Sequence, residues 1–417
     1  MIKKIKKMVS VIVMTAVLLP ICSICVKASE GTITQNEINA IVQQFSKAYS
    51  DALVQQDVDE LQQIMVENES NAFFTTFMQW RFAIMQNMDS AYNNHTCDVV
   101  ETDIKSNNAG IAKVHITFNE DFEYADDGKE GYAYNTQADL QITDTSEGCK
   151  ITEIIFTNEE DFYGSFCDKI NEMSNQTMTR SGSDINLSNK LAALILELEV
   201  LKEEMDTVTN NQVSNISNDS NVATLSSSYN YIGYRGAQYA QAYGSTPNSN
   251  FYRASSDCTN FVSQCVWAAY GGWSYGMSNS TMVSNISNKV RMVSNVWHGG
   301  SGGGMPNWES VENFWSYVTS NQGNGPKARG YNNGGWYTNV LPIDISQGDV
   351  LQKSYNGSSY FHSVYVVSTP GGSDPTYNLI YVAQHSDNYS NRKLSELIGA
   401  GGSYIRQIKF QAGTFDS

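Results

Sequence analysis

SSDCTNFVSQCVWAAY, residues 255–270, changes character at one position. Up to Asp257 the stretch is short and polar. From Cys258 onward, Phe261, Val262, Cys265, Val266 and Ala269 recur at i, i+3, i+4 spacing, which gives a helix one apolar face. Ser256 or Asp257 is placed to cap that helix, accepting hydrogen bonds from the backbone N–H groups of the first turn. Cys258 then falls in the first turn, where the positive end of the helix dipole favours a thiolate. A nucleophilic cysteine is built this way. The plain alternative is an inert core thiol, a common use of free cysteine.

Working outward, Tyr234–Tyr243 reads as a preceding helix, stopped by Gly244 and Pro247. Residues 271–340 are irregular, rich in Gly and Asn, and carry Trp273, Trp297, Trp308, Trp315 and Trp336. Within them Val311, Phe314, Trp315 and Val318 share a face, so a helix is expected over 308–318. The Gly299–Gly304 run matches neither a dinucleotide nor a P-loop pattern and has no Lys after it. From Leu341 the pattern turns strand-like. His362 opens the run HSVYVVST, Leu379–Ala383 ends at His385-Ser386-Asp387, and Ile405–Phe410 is a last strand. Helices followed by antiparallel strands indicate α+β.

The first half carries the same class of pattern. Ile38, Ile41, Val42, Phe45, Tyr49, Leu53 and Val54 make one amphipathic face, and helical character continues to Asn93. The period then changes to two, with strands expected at 97–105, 110–120, 131–143 and 149–157. In its order of elements this half resembles the cone-shaped fold of the nuclear-transport-factor-like group. A helix over 187–206, with Leu191, Leu194, Leu198, Leu201 and Met205 on one side, precedes an aperiodic Ser/Thr/Asn-rich linker at 207–228. The expected organisation is a signal segment (1–28), an N-terminal α+β domain (30–180), a helix and linker (181–228) and a second domain (229–417).

Four lysines (Lys3, Lys4, Lys6, Lys7), an apolar run from Met8 to Val26 and Val26-Lys27-Ala28 fit a secretory signal cleaved after Ala28. The chain is therefore expected to be secreted or held at the cell surface, with no stable membrane insertion after cleavage. The net charge of −17 argues against nucleic acid as a partner. Removing 1–28, which holds five lysines and no acid, takes it to about −22. Five cysteines remain after cleavage, and an odd number in an exported chain implies a free thiol. Cys97 and Cys149 lie in different strands, and their pairing is left open. His95 and His115 lack metal-spaced partners, so neither a metal nor another cofactor is expected.

A cysteine amidase needs a thiolate, an imidazole that pairs with it and later protonates the leaving amine, and a polar group that orients the imidazole. Cys258 at a helix start, His362 at a strand start, and His385 and Asp387 at the end of the next strand supply these types in that order. With YRGAQYAQAYG, NWESVENFW, QGDVLQ, HSVYVV and AQHSDN, the stretch DCTNFVSQC resembles the putative amidase family of secreted bacterial proteins. That family is similar to the NlpC and CHAP groups of cell-wall peptidases in the papain-like superfamily. The resemblance covers 229–410. It implies Cys258 as nucleophile, His362 as general base and, by analogy with the NlpC group, His385 as third residue, with Asp387 as rival.

The backbone N–H of Cys258 is one expected oxyanion donor, with a side-chain donor sought in Asn250 or Tyr252. Loop tryptophans such as Trp273 and Trp308 are candidates to line a substrate groove. The expected activity is hydrolysis of an amide through a thioester, with peptidoglycan stem peptides or cross-bridges as substrate and possible association with the wall. Two alternatives accompany it: a protease or acyltransferase acting on secreted protein, and a surface binding module that has lost activity.

Overall fold

The computed structural model describes residues 32–178, 187–211, 228–320, 323–370, 375–401 and 404–415. The expected signal segment and residues 212–227 of the expected linker lie outside them. No helix among the described residues is long and apolar enough to cross a membrane.

The first half begins with α1 (Gln35–Gln55), α2 (Asp59–Ile64) and α3 (Glu69–Asn87). Thr34 and Glu37 form a reciprocal capping box at the start of α1, satisfying two backbone donors at once. The predicted face is the buried one: Ile38, Ile41, Val42, Phe45, Tyr49 and Leu53 are all inside. Four strands follow, β1 (Tyr92–Asn108), β2 (Ile111–Tyr124), β3 (Glu130–Thr145) and β4 (Gly148–Phe156), each longer than or close to its predicted span. Helices α4 (Ser165–Met178) and α5 (Leu187–Asn210) come next. The periodicity did not predict α4. Leu194, Leu198, Leu201 and Met205 bury one side of α5.

The second half comprises β5 (Ser228–Tyr229), α6 (Gly233–Tyr243), α7 (Cys258–Ala269), α8 (Asn279–Ser287), α9 (Pro306–Glu309) and α10 (Val311–Ser320). It continues through β6 (Gly325–Tyr331), β7 (Val350–Ser354), β8 (His362–Ser368), β9 (Tyr381–Gln384), β10 (Asn388–Lys393), α11 (Leu394–Gly399) and β11 (Tyr404–Thr414). Helices α6 and α7 pack together and against β8. Gly236 makes this approach possible, because a Cβ there would stand 1.9 Å from the Tyr365 hydroxyl and 2.8 Å from the Cys265 carbonyl.

The protein is α+β, with helices on a large antiparallel sheet. The strand order is β1-β2-β3-β10-β9-β8-β7-β11-β5, with β4 also on β3 and β6 also on β11. Two halves expected as separate domains thus share one sheet. The seam is antiparallel: Tyr132, Ala133 and Tyr134 of β3 pair with Ser390, Tyr389 and Asn388 of β10. Farther along the same edge, β3 pairs with β4 from Ala138 onward. The changeover falls at Asn135, whose φ of 56° is a left-handed conformation that asparagine tolerates. Asn135 donates its N–H to Asn119 Oδ1 and its carbonyl accepts from Asn158 Nδ2, so the backbone groups freed by the bend are satisfied.

Side chains reinforce the seam. Glu396 accepts from the hydroxyls of Tyr124 at 3.0 Å and Tyr92 at 3.4 Å. Lys393 Nζ donates to the Asp89 carbonyl at 2.7 Å and pairs with Asp126. Ser395 donates to the Met88 carbonyl. Helix α5 also touches the second half, since the Tyr337 hydroxyl donates to the Leu201 carbonyl.

Cys97, Cys149, Cys167, Cys258 and Cys265 are all free thiols, so Cys97 and Cys149 do not pair.

Candidate active site

Helix α7 starts at Cys258 as its periodicity predicts, with Asp257 at the N-cap position. The cap itself differs from expectation. Asp257 makes no side-chain bond to the helix N-terminus, because its carboxylate is engaged elsewhere. Oδ1 accepts from the Ala254 N–H at 3.0 Å and from Asn260 Nδ2 at 2.7 Å, and Oδ2 lies 2.8 Å from His385 Nδ1. The first-turn N–H groups therefore receive nothing from this side chain, which leaves the helix dipole aimed at Cys258 uncompensated from that side.

Strand β8 meets the helix start. Cys258 Sγ is 3.9 Å from the Phe361 carbonyl, and Thr259 Oγ1 is 3.0 Å from Ser363 Oγ. The residues on either side of His362 thus touch Cys258 and its neighbour. His362 is the first residue of β8 and pairs with Lys353 of β7. Cys258 and His362 are both buried, at 4% exposure each, whereas Phe361 beside them is 37% exposed. Phe361 stacks on Tyr355 with ring centroids 4.4 Å apart.

Polar groups hold this junction from behind. Gln352 Nε2 donates to Ser363 Oγ at 3.0 Å, and Arg406 Nε donates to Gln352 Oε1 at 2.7 Å. Arg406 is set opposite Gln352 in the β11–β7 register, and its second nitrogen meets Glu312 at 2.9 Å. Its guanidinium lies over the rings of Trp315 and Tyr360. Glu312 also accepts the Tyr360 N–H at 2.9 Å, which fixes the backbone just before Phe361 and His362. Sequence reasoning missed this chain, because Glu312, Gln352, Ser363 and Arg406 lie on four separate elements and no spacing links them.

His385 follows β9 and lies beside Asp257. Its Nδ1 faces Asp257 Oδ2 and its Nε2 faces the Tyr243 carbonyl, both at 2.8 Å. The ring stacks on Phe261 of α7 at 3.9 Å between centroids. Both ring nitrogens of His385 are thus engaged by Asp257 and Tyr243. Asp387 is buried in the same turn, two residues on. The turn itself is tight: Ser386 has φ 85°, and its hydroxyl accepts the Asp257 N–H at 3.3 Å.

The other candidates fall elsewhere. Asn250 donates to Asn248 Oδ1 and Asn279 Oδ1, so its amide serves a local loop network instead of an oxyanion. Tyr252 is 51% exposed, and only its backbone is held, by Asn260 and Gly300. Trp273 and Trp308 are core residues and not groove walls. Trp273 packs edge-on against Tyr239. Trp308 has no exposed surface, stacks on Phe251 and donates its indole N–H to Asn260 Oδ1 at 2.7 Å. Large rings on long irregular segments fill the space between those segments and the scaffold, and that burial outweighs any groove-lining role here. Asp349, which accepts from Lys409, Gln407 and the Ser346 N–H, fixes the turn before β7.

Among the described residues no group of three or more His, Cys, Asp or Glu could hold a metal ion.

Fold and site together define an α+β protein whose cysteine stands at a helix start, docked on the strand that opens with a histidine. Residues 230–409 match the profile of a family described as "Putative amidase domain". At that general level the match supports an amidase-like hydrolase in this part of the chain. No curated protein matches the chain. Three solved structures show partial likeness. A protein titled a putative aromatic ring hydroxylase, from Novosphingobium aromaticivorans, is 14% identical over 30% of this chain and 90% of its own, with a TM-score of 0.23. The Kfla4162 protein from Kribbella flavida is 11% identical over 29% and 90%, at 0.22. The intermembrane space region of the chloroplast protein ARC6 is 15% identical over 30% and 96%, at 0.23. Likenesses of this size carry no argument about fold or activity.

Proposed function

We propose that the protein is an exported cysteine amidase of papain-like type, in which Cys258 is the nucleophile and His362 its general base. The observation that carries the reading is the contact of Cys258 Sγ with the carbonyl of Phe361, the residue before His362. Thiol and imidazole then belong to one junction, at the end of a helix whose dipole favours the thiolate. The thiolate attacks an amide carbonyl, and backbone N–H groups at the start of α7 stabilise the oxyanion. His362 protonates the departing amine, and water, deprotonated by the same imidazole, hydrolyses the thioester.

The acceptor that orients His362 is Asp387. His385, the other candidate, has both ring nitrogens committed to Asp257 and Tyr243. The substrate is an amide of peptidoglycan, in a stem peptide or cross-bridge, reached after export through the signal in residues 1–28. Long-range attraction does not bring so acidic a chain to an anionic wall. Short-range contacts must hold it there, and the first half of the chain is the part available to make them.

The test is digestion of purified peptidoglycan by residues 29–417 beside the Cys258→Ala variant, with new amines and fragments read by mass spectrometry. Fragments released by the native chain alone support the reading and identify the bond. Equal release by both chains excludes Cys258 as nucleophile, and no release by either removes the wall as substrate.

A further inference from the structure

The residue before the nucleophile is as firmly held as any in the site. Asp257 and His385 have side-chain exposures of 4% and 1%, so no solvent competes for their contact at 2.8 Å. Their hydrogen atoms can be counted. The Tyr243 carbonyl only accepts, so His385 Nε2 carries a hydrogen. Asp257 Oδ1 already receives two donors, and a second hydrogen must lie between Oδ2 and Nδ1 for that contact to be a bond. Three elements meet at this pair: the last residue of α6 through Tyr243, the N-cap of α7 through Asp257, and the β9–β10 turn through His385 and Ser386.

We propose that Asp257 and His385 are positioning residues that fix the backbone carrying Cys258 against the start of β8. The proposal rests on the reading of Cys258 as nucleophile. Neither residue meets the reacting atoms; their effect passes through the peptide that joins Asp257 to Cys258. Small displacements matter there, since a shift of about 1 Å in a reacting group costs about a hundredfold in rate.

An asparagine at position 257 separates position from charge. Its Oδ1 would keep the two donors from Ala254 and Asn260, so its Nδ2 would face His385 Nδ1, which then has to accept. The geometry survives while the shared hydrogen is lost. The experiment uses the chain from residue 29. Nitrogen-15 shifts of the His385 ring are recorded at pH 7, and alkylation of Cys258 by iodoacetamide is timed by peptide mapping. In the native chain both ring nitrogens should show protonated shifts. In Asp257→Asn, Nδ1 should move into the unprotonated range, and an unchanged Nδ1 shift would show that the pair does not exist in solution.

Alkylation of Asp257→Asn should stay within about threefold of native, whereas Asp257→Ala and His385→Ala should each slow it about tenfold or more. Because the residues act through one contact, the double alanine variant should be no slower than the slower single one. Losses that multiply, or an asparagine variant as slow as the alanine one, would overturn the proposal. Near-ultraviolet circular dichroism reports whether the alanine chains fold. If they do not, the shift change and near-native alkylation of Asp257→Asn decide the matter. Alkylation needs no amide substrate. A chain that shows this coupling and cleaves no amide would keep the positioning pair and remove the amidase reading.

Discussion

Cys258 and Asp257 are neighbours in the chain, but local pattern specifies only the first. The thiol was legible because helix periodicity begins at it. A local rule makes the Asp257 carboxylate an N-cap, and a partner 128 residues away overrides that rule. No spacing in one sequence announces such a contact. The same limit applies to the third group of the site. His385 and Asp387 are two residues apart, so spacing does not rank them, and the engagement of His385 by Tyr243 and Asp257 is a contact no spacing announces. On this account Cys258→Ala and His362→Ala each lower kcat/KM for a cleaved amide by about a thousandfold or more. Asp387→Asn lowers kcat by about a hundredfold or more, by releasing the imidazole from its productive orientation. Steady-state kinetics on a peptidoglycan fragment check all three. A near-native Asp387→Asn beside a dead Cys258→Ala would return the orienting role to another residue.

At the scale of elements, periodicity located most helices and strands and left their partners unspecified. Alternation along β2 and β3 shows which face is buried; it does not show which edge is occupied. Strand β10, NYSNRK, has no apolar pattern at all, yet nearly all of it is buried, because strands on both sides and polar partners enclose it. The glycine in α6 is a sharper case. Gly236 sits in a helix, where glycine is unfavourable, and the reason is the Tyr365 hydroxyl, which bonds to Tyr231 and to the Gly233 carbonyl. Gly236→Ala would force α6 from β8 and α7 and destabilise the fold by about 1–3 kcal/mol, as overpacking does. Urea unfolding measures this. An unchanged midpoint would mean that α6 is free to move aside.

For the whole molecule, the shared sheet changes what the first half does. It is joined to the strand that begins one residue after Asp387, so it braces the turn that holds His385 and Asp387. Lys393 and Glu396 are fully buried and take much of their hydrogen bonding from Asp89, Asp126, Tyr92 and Tyr124 across the seam. Removing one partner of a buried charge leaves a penalty of several kcal/mol. Residues 228–417 alone are therefore expected to aggregate or to lose activity, and calorimetry of the chain from residue 29 should show one cooperative transition. Two well-separated transitions, with an active isolated C-terminal fragment, would show that the seam is not a structural requirement. A wall-docking role for the first half is accordingly tested by surface substitutions and not by its deletion.

The central claim is that Cys258 is an activated thiol, and the background for testing it is favourable. Burial pushes the thiols of Cys97, Cys149, Cys167 and Cys265 above their ordinary range, with negative neighbours adding to the effect at the first three. A raised thiol pKa means that the neutral form, which does not alkylate, persists to higher pH. The measurement is therefore the rate of iodoacetamide labelling at each cysteine of residues 29–417 at pH 7, resolved by peptide mapping. The account predicts that Cys258 reacts at least about tenfold faster than the other four, and that His362→Ala removes the difference. Labelling of Cys258 no faster than that of Cys149 or Cys167 would contradict it.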